Sequence, residues 1–205
     1  MTHGGRRGRP PSTSADRIAR VALELFARRG YEATTMEDVA AAVGVGRSTL
    51  FRYFPSKAAI VWAGQRESEE AVSGALAAVP VATDWRVGLP DALAAGLCFP
   101  GDDEEALRLR LRLIGSVPEL QAGLAAAGGP AVTDIAQFIA VRTGLDVGDL
   151  IPYTLARSVL ATALAALVWW GASDVGDPRS VVRRAVAAAL GLPVDPGSRE
   201  VTTGT

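Results

Sequence analysis

The chain has 205 residues, 49% hydrophobic and 21% charged, which is enough apolar material for one sizeable core or two modest ones and too much for a disordered polymer. A single cysteine (Cys98) and a single histidine (His3) exclude a disulfide framework, thiolate metal clusters and the usual Ser/His or Cys/His hydrolase sites, so neither a metal nor a cofactor is expected. The basic start from Met1 to Pro11 has no apolar run behind it, and the longest nearly uncharged stretch, Ser158–Ser173, falls short of the roughly 20 residues a bilayer-spanning helix needs; a cytoplasmic protein without membrane association is expected.

The formal net charge of −1 conceals a division. Residues 1–66 carry 11 Lys and Arg against 5 Asp and Glu, whereas residues 67–205 carry 10 against 17. That asymmetry points to a nucleic-acid surface at the N-terminus joined to an acidic body with another task. Charge alone leaves open a basic face that merely meets water, and the motifs must decide.

Alanine and leucine dominate, and apolar positions recur at helical spacing nearly everywhere, so the fold class is all-α. Residues 1–12 form an arm expected to be disordered, in which Arg6, Arg7 and Arg9 flank Gly8 and precede Pro10. Arg-Gly-Arg-Pro resembles the core of an AT-hook, whose extended backbone lays arginines into the minor groove; a solvated basic tail is the alternative. The first helix is predicted over Ser14–Arg29, with Ile18, Val21, Ala22, Leu25 and Phe26 as its apolar stripe and Gly30 as its stop. Thr34 or Thr35 caps the next, with Glu37 or Asp38 completing a capping box and Val39, Ala40 and Val43 facing inward until Gly44. A third short helix spans Arg47–Phe54, ended by Pro55, and Ser56 caps a fourth. Two short helices joined by a glycine-containing turn and braced by a longer one make a helix-turn-helix, whose second helix enters the major groove. Leu50 and Phe54, four apart, anchor that helix and leave Arg47, Ser48, Thr49, Arg52 and Tyr53 to reach phosphates and base edges.

From Lys57 the pattern predicts one long helix to Val79, then a shorter one over Leu89–Phe99 with Pro90 in its first turn. Asp102 to Glu105 places four acids at the start of a helix. Leu107 to Leu113 alternates as a strand would, but leucine and arginine are helix formers and Glu104 can pair with Arg108, so a helix apolar on two sides is predicted there. Pro118–Thr143 reads as a helix broken near Gly128-Gly129-Pro130. Asp146 or Asp149 starts another that runs to Trp170, and Asp177-Pro178 starts a last one that ends at Gly191. Their many alanines permit close helix approach and suit a dimer seam.

The run Leu25-Phe26, Gly30-Tyr31-Glu32-Ala33-Thr34-Thr35, Asp38-Val39-Ala40, Gly44-Val45 and Thr49-Leu50-Phe51-Arg52-Tyr53-Phe54-Pro55-Ser56-Lys57 resembles the DNA-binding signature of TetR-type transcriptional regulators. The run Leu107 to Ala122 is similar to regulators found with mycofactocin biosynthesis clusters. The resemblance implies phosphate contacts from Thr35 and Lys57, groove contacts from Arg47, Ser48 and Thr49, and backbone packing by Tyr53 beside Arg52. Gly46 stands where the family commonly has a capping serine, so the recognition helix is expected to lose one hydroxyl contact.

The implied organisation is an arm (1–12), a helix-turn-helix domain (13–57), a helical ligand-binding and dimerisation domain (58–193) and a disordered tail (194–205). Its implied partners are double-stranded DNA, a second copy as homodimer, and a small-molecule effector, with a fatty acyl group or another apolar anion as first expectation. Expected ligand contacts are Trp62, Leu97, Phe99, Leu111 and Phe138, with Arg108, Arg112, Tyr153 and Arg157 as polar fixtures. Competing readings are an architectural DNA binder without sequence preference, and a small all-helical enzyme, for which no catalytic constellation assembles.

Overall fold

The computed structural model describes residues 14–97, 102–126, 129–173 and 175–194, and among these every regular element is an α-helix. The arm with Arg6, Arg7 and Arg9, the tail after Val194, and Cys98 and Phe99 lie outside the described residues.

The first three helices form where the capping chemistry puts them. Ser14 accepts from the Arg17 N–H (3.2 Å) and starts α1 (Ala15–Arg29). The two threonines after the turn divide the work: the buried Thr34 hydroxyl donates to the Gly30 carbonyl (2.7 Å), while Thr35 caps α2 (Met36–Val43) in a reciprocal box with Asp38. Gly44 closes α2 at φ 78°, a left-handed conformation that glycine adopts without penalty. Next comes α3 (Arg47–Tyr53), whose cap Gly46 makes no side-chain bond. Pro55 follows Phe54, and Ser56 caps α4 (Lys57–Val61) by accepting from the Ala59 N–H (3.1 Å).

The single helix predicted from Lys57 to Val79 is two: α4 ends at Trp62, and α5 (Gln65–Ala78) starts after Gly64. Gly64 has φ 86°, so the chain turns sharply at a residue that the helical periodicity alone reads as tolerated. The helix predicted over Leu89–Phe99 is α6 (Trp85–Gly96), capped by Asp84, and Pro90 is an interior residue of it rather than part of the first turn. Leucine and arginine override the alternating pattern in α7 (Glu104–Ser116), where Asp103 caps through the Ala106 N–H (3.0 Å) and Glu104 pairs with Arg108 (3.1 Å). There follow α8 (Pro118–Ala126), α9 (Gly129–Thr143), α10 (Leu150–Ala172) and α11 (Pro178–Ala189), the last capped by Asp177. By length and composition α10 is sufficient to cross a bilayer, but Ala156, Val159, Leu160, Ala163, Leu167 and Trp170 along it are buried in the protein's own core.

Two apolar cores result. The larger gathers α5, α6, α9, α10 and α11 around Leu89, Leu93, Ile135, Ile139 and Trp170. The smaller holds α1 to α4 around Ile18, Leu23, Phe26, Leu50 and Ile60, and it is completed by Leu113, Ile114, Val117 and Leu120 from α7 and α8. The helix-turn-helix thus docks on the body through α7.

Candidate nucleic-acid interface and apolar cavity

Leu50 is fully buried and Phe54 nearly so, which fixes α3 on the small core and leaves its other faces outward. Arg47, Ser48, Arg52 and Tyr53 are exposed, Thr49 is half-buried, and Phe51 joins them at the surface. The Arg47 guanidinium lies over the Phe51 ring, 5.4 Å from its centroid, and its Nε meets Glu37 Oε1 at 3.1 Å. Both partners of that bridge are well exposed, so it is weak and can yield to a phosphate or a base edge. Arg52 packs over Tyr53 at 5.7 Å. Lys57 Nζ donates to the Tyr31 carbonyl (2.7 Å) and sits 4.4 Å from the Tyr31 ring, which orients the first residue of α4. The Thr35 hydroxyl donates to Asp38 Oδ2 (2.5 Å), and that bond, with a second from the Thr35 backbone N–H (2.9 Å), holds the Asp38 carboxyl below its ordinary range. Tyr31 packs edge-on against Phe26 and donates to Glu119 of α8 (3.4 Å); burial, then the Glu119 carboxylate, pushes its hydroxyl well above the usual tyrosine range, so it stays a donor.

Behind the reading head, α4, α5, α6, α9 and α10 border a narrow cavity of about 50 Å³, or about 470 Å³ when the space open to solvent is counted. Val72, Leu97, Leu160, Leu164 and Leu167 make apolar walls, and Trp62, Gln65, Ser68 and Glu69 supply its polar groups. Gln65 Nε2 donates to Glu69 Oε1 (3.0 Å), and the buried Ser68 hydroxyl donates to the Gly96 carbonyl (3.4 Å). Among the described residues, Glu69 is the one charged group of this lining. The Trp62 indole is pressed against α8, where a Cβ added at Gly123 would meet Nε1 at 2.9 Å. Residues from the last turn of the reading head and from the body therefore share one pocket.

Two family models cover these two parts: residues 18–63 match the bacterial regulatory proteins of the tetR family, and residues 85–192 match the MftR C-terminal domain. The chain belongs to the TetR family of transcriptional regulators. A putative mycofactocin biosynthesis transcriptional regulator, MftR of Mycobacterium tuberculosis, is 39% identical over 174 residues, covering 83% of this chain and 86% of that one. The HTH-type transcriptional regulator TcmR of Streptomyces glaucescens is 33% identical over 151 residues, 71% of this chain and 67% of its own. Among solved structures, the TetR-family repressor FadR of Thermus thermophilus in complex with lauroyl-CoA matches with a TM-score of 0.53 at 25% identity, covering 90% of this chain and 98% of that one.

In this TetR-family regulator, the structure brings Trp62 and Leu97 to the cavity and places Arg108, Leu111, Arg112, Phe138, Tyr153 and Arg157 elsewhere, Phe99 lying outside the described residues. Arg108 lies over the Trp170 ring (4.0 Å) and donates to the Trp170, Ser173 and Val175 carbonyls at and beyond the end of α10; Arg112 Nε donates to the Gly171 carbonyl (2.7 Å). Neither is part of the cavity lining, because carbonyls at the end of α10 hold them. Leu111 is buried between α7 and α10, and Phe138 lies beneath Arg142 (3.7 Å) in a separate groove with Ser73 and Asp134. Tyr153 and Arg157 are exposed on the first turns of α10, joined by Arg157 Nε to the Tyr153 hydroxyl (2.9 Å). Gln65, Ser68, Glu69 and the leucines of α10 were not among the expected contacts. Their signal is periodic: 65, 69 and 72 recur at three- and four-residue spacing on one face of α5, as 160, 164 and 167 do on α10. No three His, Cys, Asp or Glu side chains converge as metal ligands among the described residues.

Proposed function

We propose that this regulator is a homodimeric repressor that reads a palindromic operator with paired α3 helices and leaves it when an apolar effector fills the cavity between α4, α5, α6, α9 and α10. The cavity carries this reading: Trp62, the residue that ends α4, is part of its wall, so an occupant touches the element that bears the reading head. A second copy is supported by the apolar side chains left outward on α10, including Leu150, Ile151 and Trp169. Within one subunit these three stay 51–73% exposed.

The lining also narrows the effector. The FadR neighbour was solved with lauroyl-CoA, and the leucine walls here match an acyl chain in polarity, in a space that must widen to admit one. A free fatty acid would bring its carboxylate toward Glu69 with no lysine or arginine among the described lining residues to offset the repulsion. A thioester carbonyl bears no charge, and the anionic head of such a ligand can remain in water. We therefore place an acyl thioester ahead of a free acid.

Selection of bound duplexes from a random pool tests this function, with lauroyl-CoA and lauric acid added in parallel. One recovered palindrome, depleted by lauroyl-CoA and little changed by lauric acid, is the expected result. Recovery of duplexes without a shared sequence would instead mark an architectural DNA binder.

A further inference from the structure

We propose that Arg110, held by Asp102, is a positioning residue that sets the angle between the reading head and the body. Its side chain is 2% exposed and that of Asp102 is 7% exposed, a deeply buried ion pair. Arg110 Nε and Nη2 donate to the two oxygens of Asp102 (2.7 and 3.0 Å), and Nη1 donates to the Ile60 carbonyl (3.3 Å) and to the Val61 carbonyl. Ile60 and Val61 are the last two residues of α4, and Trp62, which follows, lines the cavity.

The chemistry fits positioning better than simple cohesion. A five-residue helix has little stability of its own, and beyond the Ala63 N–H that meets the Ile60 carbonyl (3.2 Å) its final carbonyls take partners from outside. Arg110 supplies them from α7 together with a positive charge at the negative end of the helix dipole. Most other contacts between head and body are apolar, through Leu113, Ile114, Val117 and Leu120. Apolar contact is non-directional and tolerates sliding. A planar guanidinium fixed on one side by a carboxylate and aimed on the other at two carbonyls is directional. A buried ion pair is also no better for stability than well-packed apolar residues of similar volume, so its worth here lies in geometry.

This inference rests on the paired-head reading of operator DNA. Its test measures binding of the full-length protein to duplexes that carry the selected half-sites with the spacing changed by one or two base pairs. Arg110→Lys and Asp102→Asn are compared with Leu113→Ala, which loosens the same contact without touching the ion pair. In the Arg110 and Asp102 variants we expect affinity for the preferred spacing to fall about tenfold, the worth of one charge-assisted hydrogen bond. Altered spacings should lose much less, so that the profile flattens, while the penalty for a mutated half-site base stays as in wild type. Leu113→Ala should lower Tm and keep the spacing profile. Asp102→Asn alone decides the matter if Arg110→Lys does not fold. An unchanged profile in the folded ion-pair variants, or the same flattening in Leu113→Ala, would overturn the assignment. A wild-type protein with no preferred spacing would remove the paired-head reading, and this inference with it.

Discussion

Arg47 reaches outward from the first turn of α3 on an exposed bridge to Glu37, which leaves it free to exchange that partner for DNA. If it reads guanine, Arg47→Ala costs about 1–3 kcal/mol on the operator and far less on scrambled DNA, measured by fluorescence anisotropy on both duplexes; equal losses would assign it to the backbone. Lys57→Ala should weaken binding to all sequences and reduce the slope of log K against log salt by about one, because a phosphate contact carries charge but no sequence information. Asp103 gives a pH prediction. Its carboxyl is held below the ordinary range by the Ala106 N–H and then by Arg20, which it meets at 2.6 Å. A depressed carboxylate contributes stability above its unfolded value and loses it as pH falls through the folded one. Asp103→Asn should therefore lower Tm at neutral pH, with the gap to wild type closing as pH falls below the ordinary carboxylate range, read from thermal melts at decreasing pH. The three arginines of Leu107 to Leu113 show what the sequence hides at this scale. Arg108 and Arg112 stand out as ligand anchors, yet both are occupied by carbonyls of the last turn of α10, and Arg110, passed over, is the buried one. A stripe of Ala106, Arg110, Leu113 and Val117 at helical spacing was there to be read.

Elements were legible where capping chemistry is local. Ser14, Thr35, Ser56, Asp103 and Asp177 each accept a backbone N–H from two or three residues on, so a short string of sequence contains the whole cause. Breaks that depend on tertiary fit were not. Gly64 separates α4 from α5 although the apolar stripe continues past it, and the stripe cannot report a left-handed backbone. Pro90 inside α6 removes only the N–H that would meet the Arg86 carbonyl, and the burial of Leu89 and Leu93 beside it holds the helix together. Gly96 exposes the same gap between pattern and packing. A Cβ there would lie 2.5 Å from the Val72 Cα, a backbone atom that cannot rotate aside. Gly96→Ala should cost about 1–3 kcal/mol or more by denaturant unfolding, as α5 and α6 are forced apart. Wild-type stability in that variant would show that the two helices have room to separate.

Across the whole molecule, near-neutrality is the sum of a basic head and an acidic body, and the small core shows how they are joined: α7 and α8 lend four apolar side chains to a bundle otherwise made by α1 to α4. That arrangement gives the cavity its influence, since Trp62 and the clamped end of α4 lie one residue apart. The all-helical architecture and the reading head could be read from the sequence because both follow from periodicity and spacing. The cavity could not, since its walls come from five helices whose meeting is a property of the folded chain. Coupling between cavity and operator is the central claim, and anisotropy titration of the selected operator with and without saturating lauroyl-CoA measures it directly. We predict an operator affinity at least about fivefold lower in its presence, within the usual range for allosteric coupling. Undiminished affinity for DNA, with Trp fluorescence showing the ligand bound, would contradict it.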